Sequence, residues 1–208
     1  MTTFFPAQLR CRRCNQHFSY LAVGSCNTID AVFYTDGYVE GPMFVEDSAI
    51  LTCPGCGQLQ WHDEFEEEEG GEGPFVEMTN GPVLLKLSGF PKLLKQAPWR
   101  NRAEEIYVRM RAWWAANKRF RGKQSPRPFS AAEQANLTAL LELLDEAEPM
   151  DRICAAEILR ELGRFGECLQ SLAGADQAEL SDYRDRIGQL AREGKREVAV
   201  VVDLSERG

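Results

Sequence analysis

Apolar residues follow two different rhythms along the chain. In the second half they recur at three- and four-residue intervals. Ile106, Met110, Trp113 and Trp114 form one stripe and predict a helix over about Arg100–Arg119. A second helix starts after Ser130, which makes a capping box with Glu133 three residues later and precedes the core face Leu137, Leu140, Leu141 and Leu144. Pro149 separates it from a third helix, about Asp151–Leu162, with Asp151 as its N-cap and Gly163 as its left-handed terminator. A fourth covers about Phe165–Leu172. A fifth covers about Ala178–Arg192, with Leu180, Tyr183, Ile187 and Leu190 on one side. Val198–Leu204 is β-branched enough for a terminal strand, with a continued helix as the alternative.

Residues 1–65 have a strand-and-turn texture instead. Asn27–Tyr34 is a strand, Thr35-Asp-Gly-Tyr38 a hairpin turn, Tyr38–Val45 a returning arm broken at Gly41-Pro42, and Ala49–Thr52 a short strand. Glu66-Glu-Glu-Glu-Gly-Gly-Glu-Gly-Pro74 predicts a solvated linker, because its acids repel and it lacks apolar anchors. Val83-Leu-Leu-Lys-Leu87 suits a strand or a short helix. The expected class is α+β: a small β-rich domain over 1–65, an acidic, Gly-rich linker and connector over 66–98, and an α-helical bundle over 99–208.

With 208 residues, 44% of them hydrophobic and 27% charged, the chain can bury a globular core. No apolar run approaches the roughly 18 residues of a membrane span, and Met1-Thr-Thr-Phe-Phe-Pro lacks the layout of an export signal. No membrane association and a cytoplasmic location are therefore expected. The net charge of −8 argues against bulk polyanion binding. Residues 92–127, however, carry eleven basic residues against two acidic ones, between two acidic stretches. Either that segment pairs with its acidic neighbours, or it contacts nucleic acid with Trp99, Trp113 and Trp114 as stacking partners. Helical spacing favours a core role for these tryptophans.

Seven cysteines are present, and four form two close pairs, Cys11-Arg-Arg-Cys14 and Cys53-Pro-Gly-Cys56. An odd count without an export signal argues against a disulfide framework. Two Cys-x2-Cys knuckles supply four thiolates, the donor set of a tetrahedral structural Zn2+, one per chain. Gly55 and Gly57 suit the second turn. The 38 residues between the knuckles fit a zinc ribbon whose intervening strands have grown. His17, His62 and Cys26 are the possible replacements for one sulfur. Arg10, Arg12 and Arg13 would offset the charge of −2 on a four-thiolate zinc. Cys154 and Cys168 sit in helical sequence and look like small buried hydrophobes.

No Gly-rich phosphate loop and no Gly-x-Ser-x-Gly elbow occurs. Two histidines make a Ser-His-Asp or Cys-His site hard to build. No catalytic residue is assigned, and the expected role is a non-enzymatic, zinc-binding adaptor with a protein partner. The alternative is a nucleic-acid-associated regulator using the zinc ribbon and residues 92–127.

The segment Leu162-Gly163-Arg-Phe165-Gly-Glu167-Cys168, within about 151–173, resembles the middle of a tetratricopeptide repeat, with Cys168 where that family usually has Ala. No second copy follows at a period of about 34 residues, so the resemblance implies one repeat-like helical hairpin inside the bundle. The chain also resembles uncharacterised bacterial proteins that join a zinc ribbon to such a helical half. That likeness rests on Tyr34-Thr-Asp-Gly37, Gly41-Pro-Met43, Cys53-Pro-Gly-Cys-Gly57 through Trp61, and the Leu-Arg-Glu-Leu-Gly-Arg-Phe run. It implies a fold and no activity.

Overall fold

The computed structural model describes residues 2–45, 48–68, 83–121, 127–175 and 177–205. The protein is α+β. Its strands are β1 (Thr3–Cys11), β2 (His17–Ser25), β3 (Val32–Tyr34), β4 (Val39–Glu40), β5 (Ile50–Thr52), β6 (Leu59–Trp61), β7 (Phe65–Glu68), β8 (Val83–Leu84) and β9 (Val200–Asp203). Its helices are α1 (Phe90–Leu93), α2 (Arg102–Arg121), α3 (Ala131–Leu141), α4 (Pro149–Glu161), α5 (Phe165–Leu172) and α6 (Ser181–Arg192). The chain divides into two compact units. One is Met1–Ile29 with Gly41–Lys86, and the other is Asp30–Glu40 with Leu87–Gly208.

The first unit holds two three-stranded antiparallel sheets, ordered β2-β1-β7 and β6-β5-β8. The long β1–β2 hairpin is not evident in the sequence. Alternate residues of β1 and β2 turn Leu9, Cys11 and Phe18 inward, where they meet Leu51, Cys53 and Phe65. Phe18 and Phe65 pack edge to face at 5.5 Å.

Glu66–Glu68 correct the linker expectation. They form β7, with Glu66 opposite Arg10, Glu67 opposite Leu9 and Glu68 opposite Gln8. Buried Phe65 anchors the strand, and Arg10 and Arg12 both pair with Glu66, which offsets part of the repulsion that argued for a loop. Residues 69–82, with the rest of that run, lie outside the described residues. Val83 and Leu84 form the short strand β8 against β5, and Leu87–Gly89 then makes a 3-10 turn into α1.

In the second unit, β3 and β4 make the hairpin read from Thr35-Asp-Gly-Tyr38, with Gly37 at φ +77°. The terminal segment is a strand: β9 adds to β3, with Val202 opposite Phe33 and Val200 opposite Tyr34. Residues 30–40 thus group with the helices, not with the strands that flank them in sequence.

Helices α2 to α6 follow their predicted spans closely, and α1 has no counterpart among the predicted helices. Ser130 caps α3, its N–H donating to Glu133 Oε2 at 2.7 Å and its hydroxyl accepting from the Glu133 N–H at 3.3 Å. The start of α4 is the exception. Pro149, whose ring pre-sets a helical φ, begins it, Glu148 is the N-cap, and Asp151 instead accepts a hydrogen bond from the Asp145 N–H at 2.9 Å. Gly163 ends α4 at φ +83°, as expected. One core joins Ile153, Ala156 and Leu159 to Cys168, Leu172 and Ile187. A second joins Trp113 and Phe129 to Leu137, Leu140 and Ile158.

Candidate metal centre

The two cysteine knuckles fold alike, although 38 residues separate them. In the first, the Cys11 N–H donates to the Gln16 carbonyl at 2.9 Å and the Asn15 N–H to the Cys11 carbonyl at 2.8 Å. In the second, the Cys53 N–H donates to the Gln58 carbonyl at 3.0 Å and the Gly57 N–H to the Cys53 carbonyl at 2.8 Å. The residue after each pair takes the left-handed conformation: Asn15 at φ 58° and Gly57 at φ 68°. Those are the residue types that tolerate it best. Gly55 is needed for space, because a Cβ there would lie 2.8 Å from Gln16 Cβ and 3.1 Å from Cys14 Sγ.

Each knuckle grows from the end of a strand, Cys11 from β1 and Cys53 just after β5, and the shared core of the unit brings those ends together. The four sulfurs of Cys11, Cys14, Cys53 and Cys56 all lie within 4.8 Å of one another. The Cys14 and Cys53 sulfurs are 3.6 Å apart across the knuckles. A tetrahedral ion with bonds of about 2.3 Å to sulfur requires separations of about 3.8 Å, so the group is dimensioned for one metal ion. All seven cysteines are free thiols. Cys11 and Cys53 are fully buried and Cys14 is exposed.

The two buried thiols differ in acidity. Burial works against ionisation of Cys11, but the Gln60 side chain and the N–H groups of Cys14 and Arg13 outweigh it and bring the thiol down to about 6. Burial pushes the Cys53 thiol up to about 12, against hydrogen bonds from Cys56 and Gly55 that favour the thiolate. A bound dication would draw both toward the thiolate. Gln60 is the residue that sequence reasoning missed. It is buried on β6, and its amide Nε2 lies 3.3 Å from Cys11 Sγ.

The other expected neighbours have different roles. His62 Nε2 lies 2.8 Å from the Tyr20 hydroxyl, and Cys26 Sγ is 3.7 Å from the Val45 carbonyl. His17 opens β2 opposite Arg10. None of the three joins the four-sulfur group. Arg10 bonds Glu66 and Asn15, Arg12 lies 3.6 Å from Glu66, and Arg13 lies 3.6 Å from Glu64.

The basic segment finds partners within the helical unit. Arg100 pairs with Glu104 and Arg109 with Glu105, each at 2.6 Å. Arg119 and Arg127 share Glu133 at 2.9 and 3.0 Å, and Arg121 pairs with buried Asp36. Glu133 has its pKa drawn down to about 2: burial opposes this, and bonds from Arg127, Ser130 and Arg119 prevail. Arg111 lies 5.0 Å from the Tyr107 ring and 5.2 Å from that of Trp114. Trp113 is buried and donates to Glu161 Oε2 at 2.7 Å, and Trp114 donates to the Asp36 carbonyl at 2.9 Å.

Comparison of the chain with family models, with curated proteins and with solved structures finds no match.

Proposed function

We propose that the chain is a non-enzymatic zinc protein, in which one Zn2+ per chain organises the first unit and the helical unit engages a protein partner. The convergence of four cysteine sulfurs from two like-folded knuckles carries this reading. Cys11, Cys14, Cys53 and Cys56 would hold the ion. Four thiolates complete a tetrahedral shell and leave no position for a substrate or a reactive water, so the metal supplies folding free energy, on the order of 10 kcal/mol. None of the seven cysteines is joined in a disulfide, which suits a reducing compartment and favours the cytoplasm. Among the described residues no helix is long and apolar enough to cross a membrane.

The ion pairs of Arg100, Arg109, Arg119, Arg121 and Arg127 weigh against the nucleic-acid alternative, since those charges already have carboxylate partners. Cross-linking of the metal-loaded full chain in cell extract, followed by mass spectrometry, tests the reading. A stoichiometric protein partner is expected, together with no shift of single- or double-stranded nucleic-acid probes at low salt. A probe shift that weakens steeply with added salt, and no protein partner, would overturn it.

A further inference from the structure

The four cysteines of the metal centre are not equivalent. Cys11 and Cys53 belong to the apolar core of the first unit, with Leu9, Phe18, Leu51 and Phe65, and Cys56 packs against it. Cys14 stands outside that core and is the exposed member of the four. Oxidation of a cysteine follows access as well as thiolate character, since the oxidant must reach the sulfur. Cys14 is therefore where an oxidant in solution arrives first.

The exposed sulfur has a second sulfur in reach. Cys14 Sγ lies 3.6 Å from Cys53 Sγ, which belongs to the other knuckle. A sulfur–sulfur bond needs about 2.05 Å, so closing the gap asks for a side-chain movement of under about 2 Å. Cys26, also exposed, is placed differently. Its sulfur sits 3.7 Å from the Val45 carbonyl and lies outside the four-sulfur group.

We propose that Cys14 and Cys53 form a peroxide-sensitive switch, in which oxidation joins the two knuckles by a disulfide and releases the metal. This rests on the metal reading above. The Cys14 thiolate attacks one oxygen of hydrogen peroxide, the O–O bond breaks, hydroxide leaves, and Cys14 becomes a sulfenic acid. The Cys53 thiolate then attacks the Cys14 sulfur, the S–O bond breaks, and a second hydroxide leaves. Two thiolates lose two electrons and one peroxide gains them. With Cys11 and Cys56 as the remaining donors, the tetrahedral shell is gone.

The choice of pair decides what the fold does next. A bond inside one knuckle, Cys11 to Cys14 or Cys53 to Cys56, would leave nothing to tie the end of β1 to the end of β5. The Cys14–Cys53 bond ties them as the ion did, across the 38 residues between the two cysteines. The first unit thus stays closed while the metal leaves, and a dithiol reductant restores the starting state.

Peroxide titration of the zinc-loaded full chain, prepared under reducing conditions, tests this. Released metal is read with a chromophoric chelator, and the cysteines are located by differential alkylation and peptide mapping. Zinc counted before peroxide judges the metal reading, and the map judges the pair separately. One zinc is expected to leave per peroxide consumed, with one disulfide, Cys14–Cys53, and with Cys26, Cys154 and Cys168 recovered as thiols. Reductant and added zinc are expected to restore the metal content. Cys26→Ser is expected to release zinc at an unchanged rate. A disulfide inside one knuckle or at Cys26, oxidation of Cys14 without a disulfide, or zinc retained in a large excess of peroxide overturns the proposal.

Discussion

The four cysteines were legible in the sequence because each knuckle is a local object: two thiols, three residues apart, with a left-handed Asn15 or Gly57 closing the turn. Gln60 was not legible, because its contact with Cys11 spans 49 residues and nothing in a strand glutamine announces it. Gln60→Leu removes a polar partner from a buried sulfur. It is expected to weaken metal binding about tenfold or more, measured by competition with a chromophoric chelator. At Gly55 the argument is steric. Gly55→Ala places a methyl group against Gln16 and Cys14, and its expected cost is about 1–3 kcal/mol of unfolding free energy in the metal-loaded protein, measured by urea titration.

Helices were the elements easiest to foresee, since a 3.6-residue rhythm and a cap need only neighbouring residues. The Ser130–Glu133 box is a case in point, and Ser130→Ala is expected to cost about 1 kcal/mol, visible as a lower urea midpoint with an unchanged slope. Strands were harder. In β1 and β2, Phe4, Phe5 and Leu21 are exposed, so the apolar residues do not mark one face. Glu66–Glu68 looked like a solvated run because the arginines that neutralise Glu66 lie more than fifty residues away.

For the molecule as a whole, a linear cut cannot show that residues 30–40 pair with Val200–Asp203 and leave the strands on either side of them. Nor could it show the buried polar group that Asp36 enters. The Asn117 side-chain amide donates at 2.9 Å to both Asp36 Oδ2 and Glu161 Oε1, Arg121 pairs with Asp36, and Arg160 pairs with Glu157. Both cations already have carboxylate partners, and Glu161 is fully buried beside Trp113 Nε1. Burial first, then the charges of Glu157 and Asp36, push its pKa well above the carboxylate range. Burial likewise raises Asp36, against the pull of Arg121. A carboxyl that holds its proton more tightly when folded stabilises the fold fully below its unfolded pKa. That contribution is lost as pH rises toward the folded pKa. Stability is therefore expected to decline from mildly acid toward alkaline pH, by at most about 1.4 kcal/mol per pH unit for each such group. Glu161→Gln, measured by urea unfolding across that range, is expected to remove its part of the slope.

The central claim, that one zinc ion ties the two knuckles together, meets its most direct test in X-ray absorption at the metal edge of the purified chain, with metal counted per chain. One zinc per chain is predicted, its shell made of four sulfurs at about 2.3 Å, with the metal lost in Cys53→Ser. A shell containing nitrogen or oxygen, a different metal, or cysteines joined to one another in place of an ion would contradict it.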